Sequence, residues 1–542
     1  MSEKLQDDSR SSSGPAFPLH QKDRTLKSSK SEEEDFFYQP IKRPVRGDFN
    51  PDRDDIEVPQ VIKPELIDNA LKKLHMRPMR RKALKERYSL LGGGATNVVT
   101  ERNYRVLDDL QAFTGNLEDF SSDCEKLSYS IQYNVPEDHK VEHTDPIPLS
   151  DKSLLEDITE YLENSGLEEN IPSLKDKGKL DPSHWYRLSG SAIWLPDEEC
   201  YMMVSRIMYA PTKRDAPLIS LVRMQLYDNE WKELKGRRIR YHDATDIDAD
   251  RALRKISVLG TSNKHSAEIL DHISVKFPSF MDIPLEVKSK GNMLGPEDPR
   301  IIYKPSETGN NEPVVLFNMF SGLRRRSMYA AFPLRKPKSN ASHKVTILQF
   351  RHSGSSSLTI KAVEKNWVPF FEDTKNPEYI SFLYGLDPLV VFRCRLDNGK
   401  CDKIQDDGYG TGMIASNKIA LRGGTNLMAV PMEIVRQLPE LKKDPLHNVK
   451  LYVAFAKTHA WKCGCASAFY RPTLYLLVMV DGTYRIDLMT ESIDFGLDVL
   501  SFDGRSTSCD SSGPNVLTPN KLLAKRSIIS HIITTLRITT ID

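Results

Sequence analysis

The sequence predicts a mainly β fold arranged as a propeller, behind a helical segment and a disordered tail. Three observations predict it. From about Trp185 onward, short runs rich in aromatic and β-branched residues follow one another, separated by Gly, Pro, Asn and Asp. No strand–helix–strand alternation appears among them, which argues against a parallel α/β sheet. The runs recur in bundles spaced by roughly 60 to 90 residues, the period of repeated four-stranded sheets. A β-sandwich is the alternative, but a dozen or more strands is many for one.

The elements follow in chain order. Residues 1–60 are rich in Ser, Lys, Asp, Glu and Pro, as in "SSKSEEEDFF", and are too polar to bury a core; they read as a disordered tail. Residues 61–180 read as a helical N-terminal region. "PELIDNALKKLHMRPMRRKALKERYSLL" has helical spacing until Pro78 interrupts it. Its basic cluster "RPMRRKALKER" reads as a solvated face in preference to a polyanion site. "GGGATN" breaks the chain, and "SDKSLLEDITEYLENSGL" is an amphipathic helix from Ser150 to Leu167. Residues 181–542 carry the β runs: "SAIWL", "YMMVSRIMY", "LISLVRMQLY", "RIIYK", "PVVLFNMF", "SMYAAFPL", "KVTILQF", "YISFLYG", "LVVFRCRL", "KLYVAFAKTH", "TLYLLVMV" and "YRIDLM".

Composition excludes several function classes. The chain has 542 residues and a formal net charge of +1, so no global field draws it to nucleic acid or an anionic membrane. Its longest apolar run, "TLYLLVMV", is far shorter than the roughly 20 residues that span a bilayer. The N-terminus lacks the apolar core of a signal peptide, and taken literally the chain reads as cytosolic. Seven Cys leave at least one unpaired within the chain. Cys394 and Cys401 flank a hairpin turn and form either a cross-strand disulfide or two buried thiols, and Cys463 and Cys465 form a C-x-C. No C-x-x-C pair occurs, which argues against zinc.

Nucleotide loops are missing as well. There is no G-x-x-x-x-G-K-[ST], "GYGTGM" misses the dinucleotide spacing, and no G-x-S-x-G elbow occurs. "TDIDAD" (Thr245 to Asp250) holds overlapping D-x-D triplets but follows no apolar strand, so it reads as a solvated acidic loop in preference to a metal site.

One corner carries a sharper signal. In "MLGPEDPRIIYK", Glu297 and Asp298 stand between Pro296 and Pro299. The prolines forbid a helix interior and predict an extended turn leading into a strand. Arg300 lies two residues beyond Asp298, on the same strand face, and would keep that carboxylate ionised. Downstream, "SGLRRRSMY" sets Arg324, Arg325 and Arg326 at a turn, where one or two forks can converge on phosphate oxygens. A fixed carboxylate beside a basic turn is what transfer from a phosphorylated donor requires.

Several motifs, in order, resemble one family. "GPEDPR", "VVLFNMFSGLRRRSMY", "EKNWVPF", "LYGLDPLVVFRC", "GTGMIASNKIALRGGTN" and "CGCASAFYRPTLYLLV" look like the fungal β-mannosyltransferases of yeast cell-wall mannan synthesis. Glu-Asp-Pro-Arg and Lys-Asn-Trp also resemble the five-bladed propeller mannoside phosphorylases, whose acid/base is the Asp of that motif. The resemblance therefore implies five blades. It also implies inverting transfer of mannose from GDP-mannose to a mannan or oligomannoside acceptor, giving a β-1,2 linkage. It implies Asp298 as the catalytic base, with Glu297 among the substrate contacts and Arg300 orienting Asp298 or binding sugar. Arg324, Arg325 and Arg326 become candidates for the diphosphate. Lys365, Asn366, Asp387 and His459 are candidate sugar or phosphate contacts by their place in matching motifs; a structural His is the competing reading of His459. Trp367, Tyr470 and Trp461 are candidates to stack on sugars, against the commoner fate of a core aromatic. No resident cofactor or metal site follows, and a need for divalent metal stays open.

The family resemblance further implies a Golgi membrane protein, through an anchor this N-terminus lacks or through a partner. Asn340-Ala341-Ser342 is the single glycosylation sequon. A propeller phosphorylase or hydrolase and a non-catalytic glycan-binding propeller remain the alternatives.

Overall fold

The computed structural model describes short stretches between residues 104 and 149, residues 153–165, most of 184–494, and 515–516 with 518–521. The tail 1–60, the helical reading of 64–91, Arg324, Arg325, Asn340, Cys463 and Cys465 lie outside the described residues, as does the side chain of Trp461.

The fold is mainly β and propeller-like, with four blades described. The first blade orders Trp185–Leu195, Cys200–Tyr209, Ile219–Tyr227 and Ser279–Phe280. The second orders Glu297–Lys304, Glu312–Phe320, Arg326–Phe332 and Thr346–Gln349. The third orders Val368–Phe370, Tyr379–Leu386, Leu389–Arg395 and Lys400–Asp406. The fourth is built on Ile419–Gly423, Val449–Trp461, Ala468–Val480 and Thr483–Asp494. Neighbouring strands within each blade run antiparallel, as short connections dictate.

All twelve β runs read from the sequence fall on these strands. Their apolar content exceeds simple alternation because each blade is packed on both faces. Ile219–Tyr227 is buried along its whole length. One core fills the space between the first two blades, around Phe277, Ile301 and Phe317. Another joins the second and third through Leu316, Trp367 and Phe382, and a third joins the third and fourth through Phe370, Tyr452 and Tyr484.

The first strands of the blades are tied together near the axis. The Ser191 hydroxyl accepts from the Ile301 N–H at 3.2 Å, linking blades one and two. Arg300, 6% exposed, donates to the carbonyls of Trp367 at 3.2 Å and Gly423 at 3.0 Å, in blades three and four. From far along the chain, Lys521 Nζ donates to the Ile301 carbonyl at 2.9 Å.

Two regions differ from the sequence reading. Within 61–180, helix α1 (Leu154–Ser165) forms as expected, but the described part also contains four strands. Two of them, Asp109–Phe113 and Tyr129–Asn134, extend the outer edge of the fourth blade. Their pairing partner lies far along the chain, so no local pattern announces it. Helix α1 itself is anchored through Arg223, a fully buried arginine of the first blade that pairs with Asp157 and approaches Glu233 at 3.8 Å.

"TDIDAD" is a helix start and not an acidic loop. Helix α2 (Asp246–Leu259) has Thr245 as N-cap, with a reciprocal capping box to Asp248. Asp246 and Asp250 pair with Arg240 and Arg254. Helix α3 (Lys264–Ile273) packs on α2 through Ile256, Ile269 and Ile273.

Cys394 and Cys401 stand directly opposite across the hairpin and form a disulfide.

Candidate active site

The Pro-Glu-Asp-Pro corner opens the inner strand of the second blade. A bulge breaks the strand register between Glu297 and Arg300, and Asp298 takes a left-handed backbone, φ +50°. This differs from the extended turn expected, and it separates the faces of Asp298 and Arg300, since two-residue alternation does not survive a bulge. A left-handed Asp before a proline is strained and is held by its surroundings.

Those surroundings are ionic. Arg206, from the second strand of the first blade, lies 3.4 Å from Glu297 and 3.8 Å from Asp298. Its Nε donates to the Ser220 hydroxyl at 2.8 Å, and Ser220 donates to the Pro296 carbonyl at 2.5 Å. Ser189 Oγ donates to Asp298 Oδ1 at 3.4 Å. Glu297 is engaged on its other side by Arg326, which also binds the Asn318 side chain at 2.8 Å. The Asp298 side chain remains 39% exposed.

Burial works to raise the Asp298 pKa, but Arg206, Lys457, Arg300 and Lys365 outweigh it and hold the carboxyl below its usual range. Asp298 is therefore an ionised carboxylate surrounded by cations from all four blades.

The fourth blade completes the cluster. Lys457, 9% exposed, reaches Asn366 Oδ1 at 3.4 Å. Asn366 also has a left-handed backbone, φ +64°. Its carbonyl presses on Gly423 so closely that a Cβ there would sit 1.9 Å from the oxygen, so only glycine fits. Arg422 precedes that glycine and, with Lys365, is exposed. His459 is 3% exposed and stacks on Tyr470, its cross-strand neighbour, at 4.4 Å and 22°. Burial, with Arg422, Lys365 and Lys457 nearby, pushes the His459 imidazole down to about 4. It is neutral at physiological pH.

The residues singled out in the sequence thus separate into groups. Asp298, Lys365, Asn366, His459 and Tyr470 come together. Arg300 is present but spends its fork on two main-chain carbonyls, so it braces the inner strands and makes no hydrogen bond to Asp298. Glu297 is committed to Arg326 and Arg206, and Arg326 to Glu297 and Asn318. Asp387 sits at the hairpin turn of the third blade before cis-Pro388. Trp367, 2% exposed, is a core aromatic whose Nε1 donates to Glu364 at 3.2 Å.

Arg206, Ser189, Arg422 and Lys457 were not singled out. The signal for two of them was a lone cation inside an apolar strand run, in "YMMVSRIMY" and "KLYVAFAKTH". Among the described residues, no group of three or more His, Cys, Asp or Glu is placed to hold a metal ion.

A family model described as beta-mannosyltransferases matches residues 123–525. Beta-mannosyltransferase 1 of Komagataella phaffii is 31% identical over 444 residues, covering 78% of this chain and 59% of that protein. Beta-mannosyltransferase 4 of the same yeast is 31% identical over 388 residues, covering 69% and 65%. Beta-mannosyltransferase 7 of Candida albicans is 31% identical over 376 residues, covering 62% and 52%. The chain therefore spans between about half and two thirds of the length of these relatives.

Proposed function

This chain belongs to the β-mannosyltransferase family, and on that premise we propose that it is an inverting transferase. It moves mannose from GDP-mannose to a mannoside acceptor and forms a β-1,2 linkage. The observation that carries this reading is one ionised carboxylate, Asp298, held among cations where the four blades meet. Inversion at an α-linked donor needs a base for the acceptor hydroxyl and charge stabilisation for the departing diphosphate, and no covalent intermediate.

Asp298 takes the hydroxyl proton, Ser189 and Arg206 orient it, and the side chains of Lys365, Arg422 and Lys457 offset the diphosphate charge. Arg324 and Arg325, outside the described residues, remain candidates for the diphosphate. No resident cofactor enters this scheme. A fifth blade completing the ring is part of the same reading, supported by the likeness of Glu-Asp-Pro-Arg to five-bladed phosphorylases.

Mannan is the acceptor class proposed, and the secretory pathway the place. The Cys394–Cys401 disulfide suits an oxidising compartment. Among the described residues, no helix is long and apolar enough to cross a membrane.

The test is purified protein with GDP-mannose and an α-mannoside acceptor, the linkage being read by NMR. Asp298→Asn should lose about 10²- to 10⁴-fold in rate while still binding donor. Release of mannose 1-phosphate from a β-mannoside and phosphate, without transfer from GDP-mannose, would favour a phosphorylase instead.

A further inference from the structure

We propose that Lys457, flanked by Arg422 and Lys365, is the seat for the phosphate groups of an anionic ligand, and that filling this seat places a proton on Lys457. The natural ligand follows from the transferase reading; the seat itself does not depend on turnover.

Lys457 is a buried lysine with little to compensate it. The described residues supply one hydrogen-bonding partner, Asn366 Oδ1 at 3.4 Å, and no carboxylate at ion-pair distance. Charged and titratable groups face it from every neighbouring blade. The second blade contributes Asp298 and Arg300, and the entry to the third contributes Lys365. The inner strand of the fourth contributes Arg422, and its own strand contributes His459, which stays neutral. Three cations thus oppose one carboxylate, and that carboxylate is already shared with Arg206.

Burial, then repulsion from Arg300, lowers the Lys457 ammonium to about 8, with Asp298 only partly resisting. A dianion beside Lys457, Lys365 and Arg422 reverses that balance and favours the protonated amine. A singly charged carboxylate would leave most of the excess uncorrected. Phosphate oxygens also offer acceptors for both ammonium groups and the Arg422 fork.

The experiment is isothermal titration calorimetry of the full chain with GDP and, separately, with sulfate, in buffers of differing ionisation enthalpy. The expected uptake is about half a proton per site at pH 8, falling to about a tenth at pH 7, where Lys457 is mostly charged already. Lys457→Arg should keep binding and lose the uptake, because guanidinium does not titrate. Lys457→Met should weaken both ligands about tenfold or more. Lys365→Met should weaken binding and reduce the uptake, because one of the cations opposing the Lys457 ammonium is gone.

Absence of uptake by the wild type, equal uptake by Lys457→Arg, or no binding of either ligand would overturn the proposal. Proton-linked binding without mannosyl transfer would leave the seat standing and remove the transferase reading. Transfer with unchanged uptake in Lys457→Arg would do the reverse.

Discussion

Arg206 of the first blade and Asp298 of the second stand 3.8 Å apart across the blade boundary. Arg206 heads the charges that keep Asp298 ionised against its burial. Because the Asp298 pKa is lowered, its basic form persists at pH values where an ordinary carboxylate is half protonated. Arg206→Met removes the strongest opposing charge, so the acid limb of the pH–rate profile should move to higher pH. A profile that does not move would assign Arg206 a purely structural role.

Arg326 is held by Glu297 and Asn318 and lies over the Phe320 ring at 4.7 Å. Arg326→Lys should therefore lower the melting temperature and leave donor affinity unchanged in the folded protein. A double-mutant cycle with Glu297→Gln should show coupling of about 0.5–3 kcal/mol. Lost donor affinity without lost stability would return Arg326 to the diphosphate.

Arg223 is fully buried against Asp157 and Glu233. Arg223→Met leaves the Asp157 carboxylate without its partner and should cost about 3–5 kcal/mol in chemical denaturation. Adding Asp157→Leu should recover part of that loss. If the double variant is the less stable of the two, the pair contributes more than its desolvation cost.

Gly423→Ala would bring a Cβ to 1.9 Å from the Asn366 carbonyl. It should destabilise by about 1–3 kcal/mol and lower activity by displacing Asn366. At Gly190 the nearest atom to an added Cβ is Met203 Sδ at 3.6 Å, an ordinary contact, so Gly190→Ala should be nearly neutral. Thermal melts of the two variants provide the check.

His459 has a folded-state pKa of about 4, below its usual value of 6.5. The unfolded chain therefore binds the proton more readily, and His459 should cost stability as pH falls from 6.5 toward 4, with no effect above that window. His459→Gln should flatten this part of the stability–pH curve. An unchanged slope would mean that the imidazole is hydrated in solution.

Much of this was legible in the chain, and its limits have physical causes. The twelve strand runs, helix α1 and the Cys394–Cys401 pairing depend on local alternation, helical spacing and a short turn. Thr245 and Asp248 displayed a capping pattern that the D-x-D reading passed over. Arg300 does help to keep Asp298 ionised, as its place two residues on suggests, but a bulge breaks the shared strand face and its fork goes to two main-chain carbonyls. Arg206, Arg422 and Lys457 sit in strands or strand ends whose local sequence says nothing about a distant carboxylate.

By itself, then, the chain determined its strands, the rigid Pro-Glu-Asp-Pro corner and a family resemblance carried by several ordered motifs. These rest on interactions between residues a few positions apart. Only the tertiary structure decided which charges gather around Asp298 and which are braces. Arg300 and Arg326 are equally basic on paper, yet one spends its fork on the carbonyls of Trp367 and Gly423 and the other on Glu297. Lys457 looks like one more lysine in a strand, until four blades meet and take it out of water. Coulomb energy depends on separation in space and on local dielectric, and chain position sets neither.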